Sequence, residues 1–266
     1  LHRVFNNGTF EDGGRFYGGW WQSIPSRLRL FITINGKPTV ELDYSTMHPR
    51  MLYAHIGIKC PEDPYNVGFN SDNRDLVKKA FNALINASGR IEQFKNPEDG
   101  PVFDEDEIGM SWNKFLDHIK SYHPKLKSLF GTGIGLKFQR IDSDIAEATM
   151  LHFTKRNIPI LPVHDSFIMH HGYEDELRNV MAKEFENKVG TSIPIKVDKI
   201  TPDQKAIRRK HDIDRGLYPN FDPTKSIHEI TNDLDVLLDH NHEYGKYQER
   251  LSLFWANRGT GSVLLR

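Results

Sequence analysis

Apolar positions along the chain switch between two periods, and the switches mark out the expected elements. Residues 31–34 and 39–43 are short β-branched runs separated by Asn35-Gly36-Lys37-Pro38, a hairpin signal because Asn-Gly suits the two-residue turn. After Pro49 the stretch Arg50–Gly57 can form a helix. Over residues 74–89, Leu76, Val77, Ala80 and Leu84 recur at helical spacing, while Arg74, Lys78, Asn82 and Asn86 fall at successive i, i+4 steps as a polar stripe. An acidic loop at residues 103–107 precedes a helix from about Ser111, broken near Pro124. A further helix is predicted over roughly Asp142 to Arg156, then a strand at 158–164, a turn at His164-Asp165 and a strand at 166–170. A helix from about Tyr173 to Lys188 and a strand at 193–200 follow. Glycines 8, 13, 14, 18 and 19 among aromatics predict turns and a loop over residues 1–30, held by Trp20 and Trp21. This order is that of an α+β fold with a largely antiparallel sheet. The expected division is a core over residues 1–200 and a helical C-terminal extension over residues 201–266.

Asp43 and Asp165 each stand where a β-branched run gives way to a turn. Side by side, two such carboxylates would suit a pair of magnesium ions, with manganese as an alternative, and the main-chain carbonyl of Tyr44 could add a ligand. Taken singly, Asp43 capping a helix and Asp165 making a hairpin turn explain the residues as well. The stripe of Arg74 and Lys78 could clamp a triphosphate, Arg by its fork and Lys as a point charge; a solvated helix face is the other meaning of such a pattern.

Composition narrows the class. The 266 residues are 38% hydrophobic and 27% charged, ordinary for a globular chain long enough to bury a core. No apolar run is long enough to span a membrane and no signal peptide opens the chain, so a soluble, cytoplasmic protein with no membrane partner is expected. The single cysteine, Cys60, excludes an internal disulfide framework and a cysteine-based zinc site. A formal net charge of −1 excludes a uniformly basic coat, so phosphate binding would rest on local clusters. The chain opens on Leu, which leaves room for its being a piece of something longer. Oligomeric state is left open.

The motifs occur in an order that resembles the polymerase core of family A DNA polymerases and single-subunit phage-type RNA polymerases. Gly14-Arg15, Gln22-Ser23-Ile24-Pro25, Asp43-Tyr44-Ser45 and Arg50 are similar to the stretch leading into motif A. Residues 74–88 resemble motif B through Arg74 and Lys78. Phe138-Gln139-Arg140 begins a segment similar to the glutamine-bearing one ahead of motif C. Val163-His164-Asp165-Ser166-Phe167 looks like motif C itself, in the His-Asp-Ser form of the RNA-polymerase branch. The match covers about residues 13–170.

The resemblance implies a palm with an antiparallel sheet and helical fingers, a reduced or absent thumb and no exonuclease domain. By it, Asp43 and Asp165 are the catalytic metal ligands with the Tyr44 carbonyl. Tyr44, His48, Arg74, Lys78 and Asn86 face the nucleotide, and Arg15, Gln139 and His164 face the primer-template. His48 stands where family A DNA polymerases carry a Glu that crowds the ribose 2′-position, Asn86 replaces the motif B tyrosine, and Ala87 the following glycine. The implied activity is template-directed nucleotidyl transfer from NTPs or dNTPs onto nucleic acid, with an RNA-polymerase-like or primase-like role favoured by His48, the His-Asp-Ser form and the short chain. A small DNA polymerase for repair or mobile-element replication is the alternative, and a palm that binds nucleic acid without catalysis is another. His240 and His242 lack a third ligand nearby, residues 205–211 could contact phosphates, and Gly131–Gly135 has the wrong spacing for a nucleotide fingerprint.

Overall fold

The computed structural model describes residues 1–24, 26–29, 32–91 and 103–197. The chain divides into two units: residues 1–25 with 40–198 form the first, and residues 26–39 belong to the second. The predicted C-terminal helices and the boundary near residue 200 lie outside the described residues.

The first unit opens with a hairpin in which β1 (His2–Phe5) pairs antiparallel with β2 (Gly13–Tyr17). Here the structure departs from the predicted loop. The strands are short and half-exposed, so their alternation is hidden among glycines, and what holds them is distant in sequence. Gly14 has φ +88, and a Cβ on it would meet the Phe5 ring at 2.8 Å and Ser143 Oγ at 3.1 Å, so a larger residue would push β2 off its neighbours. Arg3 donates to the Gly14 carbonyl at 2.8 Å and pairs with Glu147, fastening the hairpin to the helix that carries Ser143 and Glu147.

In the second unit, the described residues form the short helix α1 (Ser26–Arg29) and β3 (Thr33–Ile34), which pairs antiparallel with the first residues of β4 (Lys37–Tyr44). Asn35 and Gly36 take φ of 54° and 74°, the left-handed pair that the predicted hairpin turn requires.

The first unit continues from Val40 onward. α2 (Met47–His55) contains Pro49 in its first turn, where a missing N–H breaks no helical bond, so the helix starts before the proline rather than after it. α3 (Arg74–Asn86) buries Leu76, Val77, Ala80, Phe81, Leu84 and Ile85, as its periodicity predicts. It stops before residue 89 because Ala87 is extended. α4 (Glu105–Ile108) is a single turn capped by Asp104 within the predicted acidic loop, and α5 (Trp112–Tyr122) ends before the helix break near Pro124.

α6 (Gly135–Thr154) starts seven residues ahead of the predicted Asp142, a difference due to the glycine run that precedes it. Gly131 N–H donates to the Leu84 carbonyl at 2.8 Å and Gly133 N–H to the Ala87 carbonyl at 2.8 Å, so the run wraps the C-terminal end of α3. β5 (Leu161–Val163) and β6 (Ser166–His170) form the predicted strand-turn-strand, although residues 158–160 are not in the strand. α7 (Glu174–Val189) and β7 (Ile195–Val197) complete the unit.

Within the first unit the sheet places β4 between β6 and β7, with β5 beyond β6. The pairings β4–β7 and β5–β6 are antiparallel, so the fold is α+β as expected. Phe81, Phe115, Phe153 and Phe185 from the helices and Phe167 from β6 are all fully buried in the core. Each such ring contributes about 1.5–3 kcal/mol over leaving it in water. Among the described residues no helix is long and apolar enough to cross a membrane.

Candidate active site

β4 and β6 deliver the two aspartates to one place. Asp43 is the penultimate residue of β4 and Asp165 immediately precedes β6. The Tyr44 N–H donates to the Asp165 carbonyl at 3.4 Å, joining the two segments at that level. Both carboxylates line a single cleft with Tyr44, Ser45, Thr46, His48, Tyr65, Arg74, Lys78, Asn82 and Lys196. Six of the residues expected at a polymerase centre (Asp43, Tyr44, His48, Arg74, Lys78 and Asp165), drawn from three separate stretches of the chain, therefore share one concave surface.

Tyr44 serves two environments. Its ring is in the core, 5.7 Å from Phe185, and its hydroxyl donates to the Met181 carbonyl at 2.7 Å. Burial pushes the phenol far above its ordinary value, so it stays neutral. What Tyr44 can offer the cleft is its main chain. Two carboxylates and a carbonyl are hard oxygen ligands of the kind magnesium takes, and they could hold it if water and phosphate oxygens filled the other positions. Among the described residues no group of three or more His, Cys, Asp and Glu is placed to hold a metal ion, so such a site would rely on those other oxygens.

The backbone is strained on both flanks of the aspartates. Thr46 takes φ 58, an outlier for a β-branched residue, and His164 takes φ 56; the other described left-handed residues are asparagines and glycines. Each such conformation costs on the order of 1–3 kcal/mol and concentrates at functional sites. Thr46 is steadied by Arg50, whose Nε donates to its hydroxyl at 3.0 Å. His164 lies edge-on to Tyr17 at 5.6 Å.

The α3 stripe meets the cleft over Arg74, Lys78 and Asn82. Lys78 is exposed and lines it with Asn82. Arg74 is already engaged: Nε donates to Asp63 Oδ2 at 2.9 Å and Nη2 to Oδ1 at 3.1 Å, with the guanidinium 5.2 Å from the Tyr65 ring centre. These hydrogen bonds hold the Asp63 carboxyl below the usual carboxylate range and raise Arg74. Neither Asp63 nor Tyr65 was expected, since both sit in an irregular segment without periodicity.

Asn86 is at the far end of α3 and does not line the cleft. It accepts from Gln139 Nε2 at 3.3 Å and donates to the Asn82 carbonyl at 2.8 Å, so two residues expected to face different ligands touch each other. Arg15 is brought to the site indirectly. It grips Asp142 with Nε at 3.0 Å and Nη2 at 2.6 Å from Oδ2, and His48 Nε2 lies 3.2 Å from the same oxygen. Burial alone would lower the Arg15 pKa, but Asp142, with a smaller contribution from Asp165, raises it. Asp142 was missed in the sequence, yet it left a signal: it falls on the buried stripe Phe138, Asp142, Ile145, Thr149 of α6, where an acid needs a partner.

No protein-family model matches the chain. No curated protein matches it either. Among solved structures it is similar to the POL domain of Pol1 from M. smegmatis in complex with DNA primer-template and dNTP, at 12% identity and a TM-score of 0.44 over 66% of this chain. The matched part is 43% of that chain, so this protein spans less than half of its length.

Proposed function

We propose that the chain is a template-directed nucleic-acid polymerase whose cleft joins nucleoside triphosphates to a growing strand. One observation carries this reading: residues 43, 44, 48, 74, 78 and 165, which the motif order assigns to one centre, line one cleft. Asp43 and Asp165, with the Tyr44 carbonyl, would hold the magnesium ions, which when bound supply activation of the attacking hydroxyl and charge neutralisation at the leaving pyrophosphate. Lys78, and Arg74 once exchanged from Asp63, bind the triphosphate. Arg15, Gln139 and His164 belong to the primer-template side. His48 and the His-Asp-Ser form of the turn support ribonucleotide use and a primase-like or RNA-polymerase-like role.

The test is chain extension by the purified protein with magnesium, labelled NTPs or dNTPs, and templates with and without primers, resolved on a denaturing gel. Magnesium-dependent extension is expected, abolished in Asp43→Ala and in Asp165→Ala while Tm stays near that of the wild type. Nucleic-acid binding without extension would instead mark a non-catalytic palm. Extension by either variant would remove the aspartates from the centre.

A further inference from the structure

Asp142 is buried, its side chain about 1% exposed, and it is shared by two residues from elsewhere in the chain. Arg15 comes from β2 and His48 from α2, and both remain partly exposed, at 18% and 14%. A buried ion pair of this kind contributes little net stability compared with apolar packing, so its value lies in what it orients. Of the three, His48 lines the cleft.

Hydrogen-bond chemistry then fixes the imidazole. Arg15 has donors only, and a carboxylate paired with it presents acceptors only. His48 Nε2 is 3.2 Å from Asp142 Oδ2 and 3.4 Å from Arg15 Nη2, and one nitrogen cannot donate to the first while accepting from the second. The carboxylate oxygen is nearer, and an Nε2 lone pair turned toward it would be repelled. The proton therefore sits on Nε2, and in the neutral ring Nδ1 is an acceptor.

We propose that Asp142 is a positioning residue for the nucleotide cleft: it holds His48 as the Nε2–H tautomer, so that Nδ1 accepts from a ribose 2′-hydroxyl and the cleft prefers ribonucleotides. This rests on the polymerase reading for its ligand. A deoxyribose has no proton to give at that position, which separates the two sugars by one hydrogen bond.

The test has two arms on the full chain. Long-range proton–nitrogen NMR of the 15N-labelled protein, with the His48 signals assigned through His48→Gln, reads the tautomer. The wild type should show Nε2–H. Asp142→Asn, which keeps the shape but can turn its amide N–H toward the ring, should switch His48 to Nδ1–H. The second arm compares Kd for ATP and dATP. The wild type should favour ATP, and Asp142→Ala should shrink that preference about fivefold, the size expected for one hydrogen bond. Adding His48→Ala to Asp142→Ala should change it no further, because both remove the same contact. Asp142→Asn guards against a variant that fails to fold. An Nδ1–H wild type, an unchanged ATP-to-dATP ratio in both folded Asp142 variants, or additive effects of the two substitutions would each overturn the proposal. If the wild type binds neither nucleotide and extends no primer, the polymerase reading fails and the sugar role goes with it, while the tautomer still decides whether Asp142 orients His48.

Discussion

At the scale of single residues, the two cations that α3 brings to the cleft differ in what binding asks of them. Lys78 is exposed at the cleft, whereas Arg74 is held by Asp63 in a two-pronged pair whose partners are 35% and 38% exposed. Pairs that exposed contribute little to stability, so a triphosphate can exchange with Asp63 at small cost. Charge-assisted bonds to phosphate are worth roughly 1.5–3 kcal/mol, so Lys78→Ala and Arg74→Ala should each lower kcat/KM at least about tenfold, mainly through KM. Steady-state kinetics with the nucleotide varied decides this; unchanged KM and kcat in both variants would return the stripe to a solvated helix face.

At the scale of elements, what was legible in the sequence was what local periodicity or turn chemistry decides. The α3 stripe, the Asn35-Gly36 hairpin and the strand-turn-strand around Asp165 all follow from residues close together in the chain. The β1–β2 hairpin and the first turns of α6 do not, because their reasons are contacts from far away: Arg3 with Glu147, Gly131 with Leu84. For the same reason the partnership of Asp142 with Arg15 and His48, residues 127 and 94 positions apart from it, could not be read from its own helix. The glycine run whose spacing is wrong for a nucleotide fingerprint packs the end of α3 against the start of α6. Gly133 has φ +72, and a Cβ there would lie 2.7 Å from Ser88 Oγ. Gly133→Ala should therefore cost about 1–2 kcal/mol, read as a lower urea midpoint at unchanged slope. A change of only a few tenths would show that the wrap is loose.

At the scale of the whole molecule, a buried imidazole couples stability to pH. His123 is 2% exposed, with Nδ1 2.8 Å from the Tyr53 hydroxyl, and burial lowers its pKa. A folded value below the unfolded one, about 6.5, means that the unfolded chain binds the extra proton first; the contribution is complete above that pH and is lost as pH falls through the folded value. Urea unfolding at pH 7 and pH 5 should show a loss of stability on acidification that is smaller in His123→Gln. An equal loss in both proteins would assign the pH response to other groups. The hydrogen bond from Tyr44 to the Asp165 carbonyl reaches further than its own energy. Adjacent strands keep a spacing of about 4.7–4.9 Å whatever side chains they bear. The spacing of the two backbones that carry the carboxylates is thus measured by a ruler of main-chain bonds, and the surrounding core can drift through many sequences, growing firmer or weaker, without moving its marks.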